Sequence, residues 1–478
     1  MTSIQSQHFK PQANAALKNV ELQRALSKAK GGFIDKRLLA LSQLPEFDTL
    51  RDQAKALKEH TLAHLDFYLE QFEEKVQARG GHVHWAENAD QACDIIVRLC
   101  QQVNAHFITK GKSMIGEEIS LNQALENAGM QVIETDLGEY IIQLAKEPPS
   151  HIIAPAVHKT REQISELFYQ HHQKEGFNEP AIEIADLVNQ ARQVLRQHYL
   201  KADVGITGAN FLIAETGSTI IVTNEGNGDL TQCLPKVHIV ISSIEKVVPT
   251  LNDASLLMRL LARSATGQHI TTYTTLSTGI KADSECSGAE QFHVVLLDNG
   301  RSTMLGNEFK EMLRCIRCGA CMNHCPVYGA IGGHAYGWVY PGPMGSVLTP
   351  LMIGLKKAGD LPQACTMNGR CETVCPMRIP LSQLLRHHRT AQFAQSLTSR
   401  STRWGLAVWR WFVQHPRWYR WASGVGIGLL HRLGRGRGSF RHLPLASAWT
   451  KYRDFPAPQG DTFFKQWQQK QQDKANHD

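Results

Sequence analysis

The feature that most constrains how this chain can fold is a run of four closely spaced cysteines. The run comprises Cys315, Cys318, Cys321 and Cys325, and Pro326 follows the last of them. This is the spacing of bacterial ferredoxins, in which thiolates from one tight loop hold the irons of a cubane cluster. Zinc is disfavoured because zinc sites usually pair two separated Cys-x2-Cys knuckles. The run therefore predicts an iron–sulfur loop, in which Gly319 lets the backbone fold close to the cluster.

A second, incomplete copy of the run lies further along the chain. It contains Cys365, Cys371 and Cys375, the last again followed by proline, and Asn368 stands where the template has its second cysteine. In two-cluster ferredoxins the fourth cysteine of each run ligates the other cluster. The sequence therefore predicts two cluster sites that exchange their last ligands.

The crossed-ligand rule divides the cysteines into a complete and an incomplete site. The predicted ligands of cluster 1 are Cys315, Cys318, Cys321 and Cys375. Those of cluster 2 are Cys325, Cys365 and Cys371, with Asn368 at the fourth position. Four thiolates predict a [4Fe-4S] cluster, whereas three suit a [3Fe-4S] cluster or a [4Fe-4S] cluster whose last iron takes a water, a carboxylate or a substrate oxygen. An amide oxygen is a poor ligand for cluster iron, and the lone Cys233 and Cys286 are expected to be buried structural thiols.

Length and composition indicate a globular protein of a reducing compartment. The 478 residues suffice for two or three domains, and seven of the 11 cysteines belong to the two runs. Cluster cysteines must be reduced to bind iron, which predicts a cytoplasmic location. The first residues lack the charged-then-apolar layout of a secretory signal, and no run of about 18 apolar residues predicts a spanning helix. The formal charge of +7 is modest.

Four regions differ in their sequence pattern. We predict a helical region over 1–88, an α/β region over 89–300, an α-helical ferredoxin-type module over 301–395 and a Trp/Arg-rich region over 396–478. The predicted strands are His106–Thr109, Gln131–Glu134, His151–Ala154, Thr219–Thr223, Val237–Ser242, Ile270–Thr274 and Phe292–Leu297. The predicted helices between them are Thr160–Tyr169, Ala181–Tyr199 and Asn252–Ser264. Strands that alternate with helices favour a mostly parallel sheet of the α/β class.

The C-terminal region alternates tryptophan with arginine. The residues concerned are Trp404, Trp409, Trp411, Trp418, Trp421, Arg400, Arg403, Arg410, Arg417 and Arg420. Two interpretations are open: helices that pack on this chain or on a partner, and peripheral docking to an anionic membrane surface on the inner membrane face. RNA binding by the later Arg-Gly-Arg segment is disfavoured, because no nucleic-acid-binding fold accompanies it.

Polar residues and glycines cluster at predicted strand ends in the α/β region. The candidate ligand-binding residues are Thr207, Gly208, Asn210, Glu215, Thr216, Gly217, Asn224 and Glu225. Bare backbone N–H groups in such loops can approach an anion or a nucleotide, and turns that merely need glycine have the same composition. The sequence leaves these two interpretations open.

Several charged residues of the same region have competing interpretations. Lys110 and Lys112 follow a predicted strand and could form a basic wall of such a site. His238 lies within a predicted strand, which favours a core histidine over a ligand or a base. Glu245 and Lys246 are expected to form a surface ion pair. The sequence contains no convincing set of nucleophile, base and orienting group, so no catalytic residue is predicted.

The α/β region also resembles a known family. Its matching segments are Thr207–Phe211, Ala214–Gly217, Asn224–Asn227, Pro235–His238 and Ile244–Pro249, which resemble the lactate utilisation domain family. With the two cysteine runs and the Trp/Arg tail, residues 60–460 are similar to the lactate utilisation protein B family. The resemblance implies a fold related to ribose-phosphate isomerase and CoA-transferase domains, joined to an α-helical ferredoxin. Relatives commonly have cysteine where this chain has Asn368.

The resemblance further implies a function in the oxidation of L-lactate to pyruvate, which lets lactate serve as a carbon source. We expect an electron-transfer subunit rather than a catalyst alone, with a cysteine-rich subunit and a cluster-free lactate utilisation domain protein as partners. The alternative is an iron–sulfur redox sensor or an electron-transfer protein for another substrate, such as an anchor subunit similar to that of glycerol-3-phosphate dehydrogenase. Arg317 and Arg370, inside the cysteine loops, are predicted to raise the cluster potentials.

Overall fold

The structure is a computed structural model that describes residues 4–443, 446–450 and 453–475. It forms two compact units, Met1–Ala391 and Gln392–Asp478. The helices are α1 Phe9–Lys18, α2 Val20–Ser42, α3 Phe47–Ala63, α4 Leu65–Ala78, α5 Ala89–Gln102, α6 Met114–Glu118, α7 Leu121–Asn127, α8 Leu137–Ala145, α9 Arg161–His171, α10 Ile184–Lys201, α11 Asn227–Cys233, α12 Leu251–Ala265, α13 Ala320–Asn323, α14 Tyr328–Ile331, α15 Gly342–Ile353, α16 Leu355–Ala358, α17 Arg370–Val374, α18 Leu381–Ala394, α19 Arg400–Gln414, α20 Pro416–Gly434, α21 Ser447–Thr450 and α22 Phe463–Ala475. The strands are β1 His82–Ala86, β2 Phe107–Lys110, β3 Gln131–Glu134, β4 Val204–Gly208, β5 Phe211–Ile213, β6 Ser218–Thr223, β7 Val237–Ser243, β8 Val247–Val248, β9 Tyr273–Ser277, β10 Gln291–Leu297, β11 Ser439–Phe440 and β12 Phe455–Pro456.

The centre of the first unit is a six-stranded sheet in the order β1-β10-β7-β4-β2-β3. Every pair in it is parallel. All seven residues of strand β7 are buried. This is typical of parallel sheets, which helices cover on both faces. A smaller sheet, β8-β5-β6-β9, lies beside it. The predicted α/β class with a mostly parallel sheet is confirmed.

The strand order reverses between β2 and β4. From β2 the chain adds β3 on one side, and β4, β7 and β10 then follow in turn on the other side. In open α/β sheets the loops that leave such a pair of strands diverge and open a crevice at the carboxyl edge. The fold therefore places a ligand-sized opening beyond the ends of β2 and β4.

The N-terminal helices divide between two partners. Helix α4 buries Leu69, Phe72 and Val76 in one hydrophobic core with Phe292 and Val294 of β10. Helices α1 to α3 instead share a core with the cysteine-bearing segment. That segment, from Arg301 to Ala391, contains helices and short 3-10 turns and no strand. The expected α-helical iron–sulfur module is confirmed.

Most predicted strands of the α/β region are confirmed to within a few residues, but His151–Ala154 is not a strand. It is a loop that packs against the cysteine-bearing module: Nε2 of His151 lies 2.9 Å from Oδ1 of Asn323, and the Tyr328 hydroxyl donates to the Ser150 carbonyl. Its apolar residues are buried by this domain contact rather than by a sheet. Strand β1 lies at the end of the region that was predicted to be helical.

The second unit contains α19, α20 and α22 and a short antiparallel pair of β11 and β12. Helix α19 has no fully buried residue. Trp411, Trp418 and Trp421 form a continuous exposed cluster, with ring centroids 6.3 Å and 6.0 Å apart. Across the residues that the structure describes, no helix combines the length and the apolar character needed to cross a bilayer.

Candidate metal centre and the adjoining cavity

The two cysteine runs fold as structural copies of one another. Arg317 and Met367, at the same place in the two runs, have φ angles of 59° and 58°. Gly319 and Gly369 both have φ of 74°, and each precedes a short helix, α13 and α17. These left-handed residues turn the backbone tightly enough for thiols on the loop to converge. The internal repeat in the sequence is therefore also a repeat in the structure.

The thiols converge on two separate cavities. The first, here called the cluster-1 cavity, is lined by Cys315, Cys318, Cys321 and Cys375. The second, the cluster-2 cavity, is lined by Cys325, Cys365, Cys371 and Asn368. The structure thus brings each predicted ligand set together, across the two runs, with Asn368 beside the three thiols of the second set. That these side chains ligate iron stays a prediction.

Asn368 has the backbone setting of a ligand but different chemistry. Its Oδ1 accepts a hydrogen bond of 3.0 Å from the N–H of Arg370, just as the sulfur of Cys318 accepts from the N–H of Ala320 in the first run. Cys318 is buried, whereas Asn368 is exposed. The amide oxygen is therefore engaged by the helix that follows it, and solvent reaches this side of the cluster-2 cavity.

The donor set fits two iron–sulfur clusters. Burial raises the pKa of Cys318 and Cys321, and the neighbouring thiols raise it further; burial raises the pKa of Cys371 to about 12. Thiols grouped in this way need the positive charge of a metal to ionise together. Backbone N–H groups also donate to sulfur, from Met367 to Cys365 at 3.3 Å and from Tyr328 to Cys325 at 3.5 Å.

Positive side chains are concentrated at the cluster-1 cavity. Arg51 donates to the carbonyl of Cys375 at 2.7 Å, and Arg37 lies close enough to Cys318 and Cys375 for their charges to interact. Lys58 and Arg317 interact in the same way with Cys315. At the second cavity Arg389 donates to the carbonyl of Cys365 at 3.1 Å, and the charged groups that act on Cys371 are two thiols and Glu372. More cationic side chains therefore surround the first cavity than the second.

A buried ion network joins the cysteine-bearing module to the α/β domain. Arg301 binds Glu118 through both guanidinium nitrogens, at 3.0 Å and 2.8 Å, and its Nε lies 3.0 Å from Glu245. Arg317 pairs with the same Glu245 at 3.4 Å, and the Tyr340 hydroxyl donates to Glu118 at 2.5 Å. These arginines hold the pKa of Glu245 at about 2, against the effect of burial. The network excludes the predicted surface ion pair of Glu245, which is 3% exposed.

A second type of cavity, of about 520 Å³, opens at the carboxyl edge of the large sheet. We call it the carboxyl-edge cavity. Its wall includes Lys112 after β2, Asp136 after β3, Asn210 after β4 and Lys246 after β7. Arg317, from the first cysteine loop, completes it. The cavity therefore lies at the reversal of strand order and reaches the iron–sulfur module.

Half of the predicted ligand-binding residues line this cavity. They are Gly208, Asn210, Asn224 and Glu225. Three of them also have structural partners. Oδ1 of Asn210 accepts from the N–H of Val222 at 3.0 Å, and Oδ1 of Asn224 accepts from the N–H of Thr272 at 3.1 Å. Glu225 accepts from the N–H of Leu137 at 3.2 Å. Lys112 belongs to the wall as expected, whereas Lys110 is buried between Glu117 and Glu134.

The other predicted residues are not part of the cavity wall. Oγ1 of Thr207 lies 2.8 Å from Nε2 of His238 inside the sheet, which confirms the prediction of a core histidine. Glu215 accepts from the N–H of Leu251 at the start of α12, and Thr216 donates to Ser218. Gly217 packs against α4, where a Cβ would lie 2.6 Å from backbone atoms. These four residues have structural explanations.

Sequence reasoning missed Asp136, Lys246 and Arg317 as neighbours in one cavity. Nothing in the local sequence marks them, because they come from three separate loops that only the sheet topology brings together. Cys233 and Cys286 are exposed, so the expectation of buried structural thiols is wrong. Cys233 is the last residue of α11, and Cys286 lies in the segment between β9 and β10. At these surface positions the thiol has no hydrophobic core to pack into.

The fold and the cysteine cavities define a dicluster iron–sulfur electron-transport protein with an α/β domain. Comparison with known proteins agrees: a model described as the LUD domain matches residues 69–297, and one described as a 4Fe-4S dicluster domain matches residues 311–379. The chain belongs to the lactate utilisation protein B family. It is 41% identical to lactate utilization protein B of Bacillus subtilis, over 95% of both chains, and 42% identical to that of Lysinibacillus sphaericus, again over 95% of both.

Two further comparisons complete this finding. The chain is 40% identical to the electron transport protein YkgF of Escherichia coli, over 97% of both chains. A crystal structure of a DUF162 family protein from Deinococcus radiodurans aligns with 49% of this chain and 98% of its own, at 14% identity and a TM-score of 0.28. That TM-score is too low to bear on fold or function.

Proposed function

We propose that this chain is the iron–sulfur electron-transfer protein of a system that oxidises L-lactate to pyruvate. The observation that carries the proposal is the sorting of seven cysteines into two cavities of one helical module, in a chain that aligns end to end with lactate utilisation B proteins. Bound clusters supply one-electron transfer. The residues of this chain hold the clusters, set the charge around them and exclude water from the first cavity.

For the cofactors, the proposal is a [4Fe-4S] cluster in the cluster-1 cavity and a cluster with three thiolate ligands in the cluster-2 cavity. Asn368 supports the second assignment, because an amide oxygen is a poor ligand for cluster iron and its side chain is exposed. Either a [3Fe-4S] cluster or a [4Fe-4S] cluster with a water or carboxylate on its last iron satisfies that arrangement.

For the α/β domain, the proposal is a fold related to those of ribose-phosphate isomerase and CoA-transferase domains.

For partners, the proposal is a cysteine-rich subunit that oxidises the substrate and a cluster-free lactate utilisation domain protein. Lactate oxidation releases two electrons at once, so a separate substrate-oxidising centre has to precede one-electron carriers. For location, the proposal is the cytoplasm, with peripheral contact to the inner membrane face through the Trp/Arg helices α19 and α20. Trp404, Trp409 and Trp421 are more than half exposed on these helices, and tryptophan with arginine is typical of anionic lipid interfaces.

The function is tested by EPR on the anaerobically purified protein together with its co-purifying partners. We expect cluster signals to change when L-lactate is added and to stay unchanged with D-glucose at the same concentration. A Cys318→Ser variant should lose the response, because it removes a predicted ligand of cluster 1. Clusters that dithionite reduces but L-lactate leaves untouched, in a preparation containing the partners, would contradict the proposal and favour a redox sensor or another substrate.

A further inference from the structure

We propose that the carboxyl-edge cavity binds a hydroxylated organic anion, whose charged group pairs with Lys112 and Lys246 directly beside the cluster-1 cavity. The inference goes beyond electron transport, because it assigns a small-molecule site to the α/β domain. It rests on the proposed function only for the presence of iron in the neighbouring cavity. The position, charge, unpaired hydrogen-bonding groups and size of the cavity support it.

The position of the cavity is that of a ligand site. It lies beyond the carboxyl ends of β2 and β4, where the strand order reverses, and open α/β sheets bind their ligands at such points. Arg317 and Ile152 line both this cavity and the cluster-1 cavity. The two cavities therefore share these side chains as a common wall, which places a bound molecule near the cluster-1 cavity.

The charge of the wall favours an anion. Lys112 donates to the carbonyl of Ile153 and Lys246 to that of Ala209, both at 2.5 Å. Among the residues that the structure describes, no carboxylate lies within ion-pair distance of either ammonium. The nearby Glu245 is already shared by Arg301 and Arg317. The wall also carries the carboxylates of Asp136 and Glu225, and Glu245 interacts electrostatically with Lys246. Lys112, Lys246 and Arg317 nevertheless outnumber the two carboxylates of the wall, so a negative group can gain charge-assisted hydrogen bonds there.

A second part of the wall calls for hydrogen-bond donors on the ligand. Asn227 lines the cavity and is 4% exposed, and its Oδ1 has no hydrogen-bond partner within the described part of the chain. A buried acceptor without a donor is unfavourable, so a ligand hydroxyl that donates to it would be favoured. Glu225 also lines this wall, and burial together with the charge of Asp136 raises the pKa of its carboxyl. Hydroxyl groups suit both positions.

The size of the cavity selects the class of ligand. At about 520 Å³, it falls within the range of roughly 300–1,000 Å³ that is usual for small-molecule sites. A hydroxy acid such as lactate would fill only part of it, and a hydroxylated phosphate ester of mononucleotide size would fill more. Both present an anionic group for the lysines and hydroxyls for Asn227 and Glu225. The shared chemistry is a hydroxylated organic anion with a carboxylate or a phosphate.

The test is isothermal titration calorimetry on the cluster-loaded full chain, without partners, using L-lactate and flavin mononucleotide as separate probes. We expect at least one probe to bind. Binding of L-lactate alone would identify the carboxylate source, binding of the flavin alone the phosphate source, and either supports the site. Absence of heat with both probes would overturn the inference. Because no turnover is measured, this failure is distinct from a failure of the lactate-driven EPR response.

Variants locate the binding. Lys112→Gln and Lys246→Gln should each weaken binding about tenfold, the loss expected for one charge-assisted hydrogen bond. The matched control is Lys236→Gln, because Lys236 precedes the amino end of β7 whereas Lys246 follows its carboxyl end. We expect this control variant to bind the probe with unchanged affinity. Lys112 follows the edge of β2 and is only half-buried, so its variant keeps the test valid if the Lys246 variant fails to fold. If neither lysine substitution changes the affinity for the probe, the assignment of the binding site to this cavity is overturned.

Discussion

At the scale of single residues, Arg317 has the widest influence. It is 11% exposed, pairs with Glu245 and lies 4.6 Å over the ring of Tyr340. It also lines both the cluster-1 cavity and the carboxyl-edge cavity. A buried positive charge at this point stabilises the more negative, reduced form of a neighbouring cluster, and therefore raises its reduction potential.

We expect Arg317→Gln to lower the potential of cluster 1 by on the order of 50–100 mV, the size of one unit charge acting across several ångströms of protein. Arg370→Gln is the matched comparison. The sequence predicts the same effect for Arg370, but this residue, at the start of α17, is exposed, so water screens its charge and we expect a smaller shift. An EPR-monitored redox titration measures both variants. Equal shifts in the two variants would contradict the role of burial.

Asn368 gives a second prediction at this scale. The backbone around it matches that around Cys318, with the following glycines at φ of 74° in both loops, so a cysteine can be accommodated there without rebuilding the loop. We expect Asn368→Cys to yield a fully ligated [4Fe-4S] cluster, detected as loss of the oxidised-state EPR signal of a three-iron cluster or as resistance to iron loss. Asn368→Ser is the control, and it should behave as the parent protein does.

At the scale of elements, strand β7 is buried along its whole length and carries one titratable group. His238 is buried, and burial lowers its pKa to about 3. The neutral form is therefore retained in the folded state, while the unfolded chain takes up a proton below its ordinary pKa of about 6.5. The stability that His238 contributes is present above pH 6.5 and is lost as the pH falls from there towards 3.

This pH dependence can be isolated by comparison with His238→Gln. Between pH 6 and pH 5, the free energy of unfolding of the parent should fall by about 1.2 kcal/mol more than that of the variant. Urea unfolding at each pH measures the difference, in which acid effects on the clusters cancel. Parallel curves for the two proteins would show that His238 is already protonated in the fold.

Helices α19 and α20 give the second prediction at the element scale. Arg410, Arg417 and the Trp411–Trp418 cluster are exposed together. We expect the protein to co-sediment with vesicles of phosphatidylcholine and phosphatidylglycerol but not with phosphatidylcholine alone. Replacing both arginines with glutamine should weaken binding about thirtyfold at low salt, since each contributes about 1 kcal/mol.

The matched control for these helices is Lys470→Gln with Lys474→Gln, which removes two exposed charges from α22 of the same unit. Vesicle binding by this control should equal that of the parent. If the parent protein does not co-sediment with anionic vesicles, membrane docking is contradicted and a protein partner on α19 and α20 is favoured.

At the scale of the whole first unit, the α/β domain and the cluster module are joined by a charged, fully buried contact. Glu118 neutralises Arg301 and accepts from Tyr340, while Glu245 bridges Arg301 and Arg317. Together with the core that α1 to α3 share with the cluster module, this contact fixes the cavity wall against the cluster loop.

We expect Glu118→Gln to lower the free energy of unfolding by about 3–5 kcal/mol, because it leaves the buried guanidinium of Arg301 without its main counter-charge. Glu126→Gln, at an exposed position of α7, should change stability by less than about 0.5 kcal/mol. Thermal unfolding followed by circular dichroism compares the two. A Glu118 variant as stable as the control would mean that the network contributes little to domain docking.

The cysteine loops and the central strands were readable from the sequence, because their signals are local. Ligand spacing, the glycine after each second position and the apolar run of β7 all act within a few residues of one another. His151–Ala154 was misread because its apolar residues are buried by another domain. Glu245 was misread because an ion pair in sequence carries no information about burial.

The sequence by itself determined that two tight thiol loops would form and that strands would alternate with helices, since spacing and periodicity are properties of adjacent residues. Only the tertiary structure decided that Lys112, Asp136, Lys246 and Arg317 share one cavity. Those residues meet because parallel strands end at a common edge and the strand order reverses there. Contacts of that kind depend on topology, which no local pattern of residues encodes.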